Sequence, residues 1–125
     1  MKQAHWLLLC LLGTLTAPVV YAVYTPEQFM QLISKEMGGK RYHLASQYSG
    51  AGADKLQAVI SSFQPRGYLR NYPVYVMESS DWNAFATSGS CSPDLICVLT
   101  GLLTEVKSSD ELAAVVAHEL VHNYE

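Results

Sequence analysis

His118-Glu119-Leu120-Val121-His122 is the stretch of this sequence whose residue types and spacing amount to chemistry. On an α-helix, residues four apart project from one face a turn apart, so the two imidazoles can share one metal ion. Glu119 lies about 100° round the helix from His118, within reach of a water held there. A metal acidifies such a water, and the neighbouring carboxylate can take its proton and later deliver it to a leaving amine. Chance gives H-E-x-x-H on the order of once per hundred chains of this composition, so context has to carry the rest. Two blander readings compete. One is a pair of histidines hydrogen-bonded for structure. The other makes Glu119-x-x-His122 part of a di-iron bundle, but that needs a second E-x-x-H, and the sequence has none. Glu125 shares the histidine face and is the nearest further carboxylate. It is the last residue, where helices fray, and three ligands on one straight helix wrap a tetrahedral ion poorly. A weak metal contact is its functional reading and a solvated carboxylate its default.

The elements that must position this motif can be read locally. Ser108 and Glu111 form a capping box that opens the last helix. Leu112 to Ala117, Leu120 and Val121 make that helix apolar nearly all round, which predicts a buried helix. Histidines and a glutamate on a buried helix must be paired or bound. An earlier helix starts at Thr25-Pro26-Glu27-Gln28, with a capping box, proline at the first position and a Tyr24/Phe29 staple, and stops at Gly38-Gly39. Asp54 is expected to cap a second helix carrying Leu56, Val59, Ile60 and Phe63, which Gln64-Pro65-Arg66-Gly67 ends. Extended segments are expected at 72–77, 81–87 and 95–99, followed by a short helix within 101–107. Residues 46–53 read as a loop, and Gly50-x-Gly52 lacks the third glycine and the preceding strand of a phosphate loop.

Composition narrows the function. Half of the 125 residues are apolar and 15% are charged, which excludes a disordered tail or collagen-like repeat. The net charge of −3 argues against a nucleic-acid partner. Arg41, Arg66 and Arg70 interleave with Tyr42, Tyr68 and Tyr72, and read as a solvated rim with half-buried tyrosines. Met1 to His5 is short, polar and singly positive; an apolar run from Trp6 follows, and Val20-Tyr21-Ala22 ends in small residues. This is the pattern of a cleaved signal peptide over residues 1–22. Gly13, Thr14, Thr16 and Pro18 interrupt the run and disfavour a membrane anchor. Residues 23–125 would then form the domain, periplasmic or secreted, meeting a membrane only during export. In that oxidising setting Cys91 and Cys97 are expected to form a disulfide; the alternative is two buried free thiols.

Residues 110–122, reading Asp-Glu-Leu-Ala-Ala-Val-Val-Ala-His-Glu-Leu-Val-His, resemble the active-site helix of the HtpX/CAAX-protease family of zinc metallopeptidases. These are gluzincins, with Ste-type and BepA/Oma-like members. Asn83-Ala84-Phe85-Ala86 resembles the family's edge segment, and Val98-Leu99-Thr100-Gly101-Leu102-Leu103 its strand-to-helix turn. The resemblance covers about residues 72–125. It implies an α+β, helix-rich zincin-like fold with a small antiparallel sheet. His118 and His122 would be ligands to Zn2+ and Glu119 the general base. Asn83, Ala84, Phe85 and Ala86 would line the cleft, where a peptide or unfolded-protein substrate adds as a strand. The family's third ligand is a glutamate on a later helix, and this chain stops three residues after His122. The fold is therefore expected to be cut short at its C-terminus. Val121 also stands where many members have glycine. Two functions follow as expectations: an exported zinc endopeptidase, or its N-terminal fragment, in envelope protein quality control; or a catalytically incomplete relative that binds unfolded or envelope proteins without turnover. Sequence alone leaves the oligomeric state open.

Overall fold

The computed structural model describes residues 24–67, 69, 72–88 and 92–124, without the side chains of Arg66 and of 122–124. The expected signal peptide, Cys91 and Glu125 lie outside the described residues. In chain order the elements are α1 (Pro26–Glu36), β1 (Tyr42–Leu44), a 3-10 turn (Ala45–Gln47), α2 (Ala53–Phe63), a second 3-10 turn (Gln64–Arg66), β2 (Val74–Met77), β3 (Ala84–Thr87), β4 (Leu95–Leu99), α3 (Thr100–Glu105) and α4 (Ser109–Tyr124). No helix of the described residues is long and apolar enough to cross a membrane.

The fold is α+β, as expected, but the sheet is mixed rather than antiparallel. Its order is β1-β2-β4-β3. β1 runs antiparallel to β2, β3 antiparallel to β4, and the central pair β2/β4 is parallel. The chain therefore leaves β2, skips one position to the edge strand β3, and returns between them as β4. Segment 78–83 has to cross the end of β4 to do so. Gly101 sits under that crossing: a Cβ there would run into the carbonyl oxygens of Ser80 and Asp81.

Alternation along the strands splits the core into two layers. Leu95, Cys97, Leu99, Tyr75, Met77 and Phe85 meet Phe29, Met30 and Ile33 of α1 on one face. Ile96, Val98, Val76, Ala84 and Ala86 meet Leu56 and Val59 of α2 and Leu112, Val116 and Leu120 of α4 on the other. Helices cover both faces and strands both sides of β4, so all five of its residues are buried. Ala84 and Ala86 are small on the α4 side, which lets that helix lie close to the edge strand.

The local signals around α1 hold. Thr25 Oγ1 accepts from Gln28 N at 3.1 Å, and the Gln28 side chain accepts from Thr25 N at 3.0 Å. Gly38 and Gly39, both at positive φ, close the helix through bonds to Lys35 O and Ser34 O. The start of α2 differs from expectation. Its N-cap is Gly52, at φ +77°, and Asp54 lies in the first turn. Only glycine suits that position, because a Cβ would stand 2.5 Å from Leu103 O.

The expected disulfide is not formed: Cys97 is a free thiol with 0% exposure. The reason lies in its place. It is mid-strand in β4, flanked by Tyr75 and Phe85 and pointing at α1, so its surroundings are core. Burial pushes the thiol's pKa far up and leaves it unreactive. Peptide mapping after a thiol reagent is added to native protein should find Cys97 unmodified, with labelling only on unfolding. Rapid native labelling would contradict this packing.

Candidate active site

The motif sits on the last two turns of α4. Ser108 Oγ accepts from Glu111 N at 3.1 Å, one half of the expected capping box, while Glu111 Oε1 accepts from Lys107 N at 3.4 Å, one residue ahead of the box's usual partner. Leu112, Val116 and Leu120 form the buried stripe against β3 and α2. The helix is not buried all round. Glu111, Ala114, His118 and Val121 share an exposed face, and Val121 is 56% exposed. His118 is thus presented outward, while Glu119, 8% exposed, lies at the margin of the buried stripe. His122 is within the helix, one turn after His118; its side chain is outside the described set. Among the described residues no group of three His, Cys, Asp or Glu side chains could hold a metal ion. The donor set that the motif offers is two imidazoles a turn apart, which suits zinc as part of its coordination sphere.

The edge strand has a definite hydrogen-bonding phase. Leu99 N donates to Asn83 O at 3.0 Å, and Ala84 and Ala86 stand opposite Val98 and Ile96. In an antiparallel ladder this puts the N–H and C=O groups of Ala84 and Ala86 on the outer edge. Asn83 Oδ1 already accepts from Ala84 N at 2.9 Å. The outward groups that remain are Ala84 C=O and both polar groups of Ala86. That edge is nonetheless covered, since Ala84 and Ala86 are 2% and 8% exposed as whole residues. Phe85 points into the opposite core layer at 1% exposure, and its backbone polar groups face Cys97 of β4, so neither is turned to the outer edge.

A second feature was not legible as a site in the sequence. A shallow groove of about 720 Å³ is lined by Lys40, Tyr48, Glu78, Trp82, Gly101 and Glu105, among others, and by none of the described side chains of α4. His43 Nε2 lies 2.7 Å from Glu78 Oε2, and that hydrogen bond, with Arg41 nearby, holds the Glu78 carboxyl below the usual range. Desolvation raises the Tyr48 phenol. Trp82 is 69% exposed. Only its large ring among polar neighbours could have signalled it.

A helix carrying His-Glu-x-x-His beside the edge strand of a small sheet is the framework of a metal-dependent peptidase. The sequence model of peptidase family M48 matches residues 51–125, and the chain belongs to that family. The match begins ahead of α2, earlier than the motifs alone suggest. Similar proteins include a protease HtpX homolog of Methylacidiphilum infernorum, 34% identical over 92 residues, covering 72% of this chain and 30% of that one. A second, from Thermodesulfovibrio yellowstonii, is 33% identical and covers 62% of this chain and 27% of the relative. The protease HtpX of Glaesserella parasuis is 49% identical over 49 residues, 39% of this chain and 17% of that protein. The chain thus spans less than a third of the length of the curated relatives it matches.

Proposed function

We propose that this protein is an exported zinc endopeptidase of the HtpX-like kind, hydrolysing peptide bonds of unfolded proteins in the cell envelope. The observation that carries the reading is Glu119, a buried carboxylate adjoining outward-facing His118 on a helix packed against an edge strand. His118 and His122 would hold zinc through imidazole nitrogens, with a further ligand from outside the described residues. When bound, zinc supplies the Lewis acidity that makes water nucleophilic near neutral pH and polarises a carbonyl. Glu119 takes the water's proton on a carboxylate oxygen and passes it to the leaving amide nitrogen. A peptide added alongside β3 would have to displace what covers that edge, since Ala84 and Ala86 are 2% and 8% exposed. The N-terminal pattern supports export to the periplasm or beyond.

The test uses the natural full-length protein and unfolded casein. Cleavage should stop on chelation and return with zinc, and His118→Ala should lose the bound zinc measured by mass spectrometry. A protein that holds one zinc and cuts no unfolded substrate would sink the reading. Retained peptide binding in that protein would favour the non-hydrolytic role instead.

A further inference from the structure

The sheet has two outer strands, and they differ. β3 is covered, whereas Leu44 of β1 is 38% exposed. Glu78 N donates to Arg41 O at 2.8 Å, which sets the phase of the β1/β2 ladder. His43 then faces Val76 as a hydrogen-bonded pair, and the N–H and C=O groups of Tyr42 and Leu44 point away from the sheet. None of those groups has a partner among the described residues. The strand is also held straight from both faces. On the α1 side the Tyr42 hydroxyl donates to Glu27 at 2.8 Å, and its ring meets Tyr75 edge-on at 6.1 Å between centroids. On the other side His43 Nε2 lies 2.7 Å from Glu78 Oε2. Just ahead of the strand, Ser34 Oγ donates to Lys40 O. The edge is preformed and left unpaired.

The chemistry of those groups says what they bind. Donors and acceptors that alternate along one line and repeat every 7 Å or so, about two residues of extended chain, are matched by the backbone of another extended polypeptide. A second copy of this chain, pairing through three residues a side, falls well short of the about 1,200 Å² that a stable complex buries. Tyr42 and Leu44 stand opposite Met77 and Tyr75, so their side chains lie on the α1 side of the sheet. Alternate residues of an added strand come to rest beside the Tyr42 ring and the exposed Leu44. We propose that the outer edge of β1 binds an extended segment of unfolded polypeptide with apolar side chains at alternate positions. This edge lies three strand spacings, about 14 Å, from β3. It also precedes residues 51–125, which the family model matches. The proposal therefore goes beyond the peptidase reading and does not depend on zinc.

The test uses full-length protein carrying Glu119→Gln, so that peptide is bound and not cut. The probes are unstructured decapeptides with a Val-Ser-Val centre in a Ser/Gly background, followed by calorimetry. Methylating their backbone nitrogens one at a time should weaken binding about ten-fold, and at alternate residues only. Hydrogen exchange at the Tyr42 and Leu44 amides should slow when peptide binds. Leu44→Pro removes the outward N–H and should also weaken binding about ten-fold. It should leave the urea midpoint nearly unchanged, because Leu44 already has φ −63° and its N–H takes no part in the ladder. Methylation effects without the two-residue period, unchanged exchange at Tyr42 and Leu44, or full binding by a folded Leu44→Pro protein overturns the proposal. So does a dimer that Leu44→Pro dissociates, which would give the edge to a second copy. If the unsubstituted protein cuts nothing yet binds peptide in this way, the peptidase reading fails and the β1 site stands. If it cuts casein and shows no such binding, the β1 site fails and the peptidase reading stands.

Discussion

Glu119→Gln in the zinc-loaded full-length protein should lower kcat for peptide cleavage by about 10³-fold, within the range for loss of a general base. That corresponds to about 4 kcal/mol of barrier. The argument runs through what the substitution keeps. Glutamine has the same length and shape, so the tight surroundings of a residue 8% exposed stay filled. It keeps a side-chain oxygen that can accept hydrogen bonds where the carboxylate did. It leaves both imidazoles in place. Only the ability to accept a proton from water is lost. Thermal unfolding and zinc content should therefore match the parent while turnover disappears. A two- or three-fold fall in kcat would mean that Glu119 does not move the proton, and a lost zinc would mean that it supports the ligands instead.

Both the motif and its capping could be read from sequence because they are local. Thr25 and Gln28, or Ser108 and Glu111, are three residues apart, and His118 to His122 is one helical turn. β4 was also legible, since an unbroken apolar run at Leu95–Leu99 means burial on both faces. What was hidden depends on distant pairings. β1 has three residues and is a strand because His43 lies opposite Val76 and its ring reaches Glu78. The parallel β2/β4 pairing follows from a skipped position in the sheet, which no window of sequence encodes. Side-chain facing was the other loss. Phe85 and Cys97 looked like cleft and disulfide residues in one dimension. Their register, directly opposite one another, sends both into the layer under α1. The exposed face of α4 was missed for a simpler reason: Ala114 and Val121 are apolar, and composition alone cannot say which apolar residues are covered.

Gly101→Ala should be among the most destabilising single changes in this chain, by about 3 kcal/mol, at the upper end of ordinary overpacking costs. Alanine is normally favoured over glycine in a helix by up to about 1 kcal/mol, so the expected sign is opposite to propensity. The cause is the crossing of segment 78–83 over the end of β4. A Cβ at residue 101 would overlap the carbonyl oxygens of Ser80 and Asp81, which are backbone and cannot swing aside. Relief requires moving the segment, and that breaks the bonds from Gly101 N and Thr100 Oγ1 to Ser79. The displacement cannot stay local. Asn83, held by Leu99 N, is the next anchor, and Trp82 lies between the two. The variant should therefore lose stability in urea unfolding, whereas Trp82→Ala, at an exposed side chain on the same segment, should leave the midpoint nearly unchanged. An unchanged urea midpoint for Gly101→Ala would show that the crossing segment does not rest on Gly101.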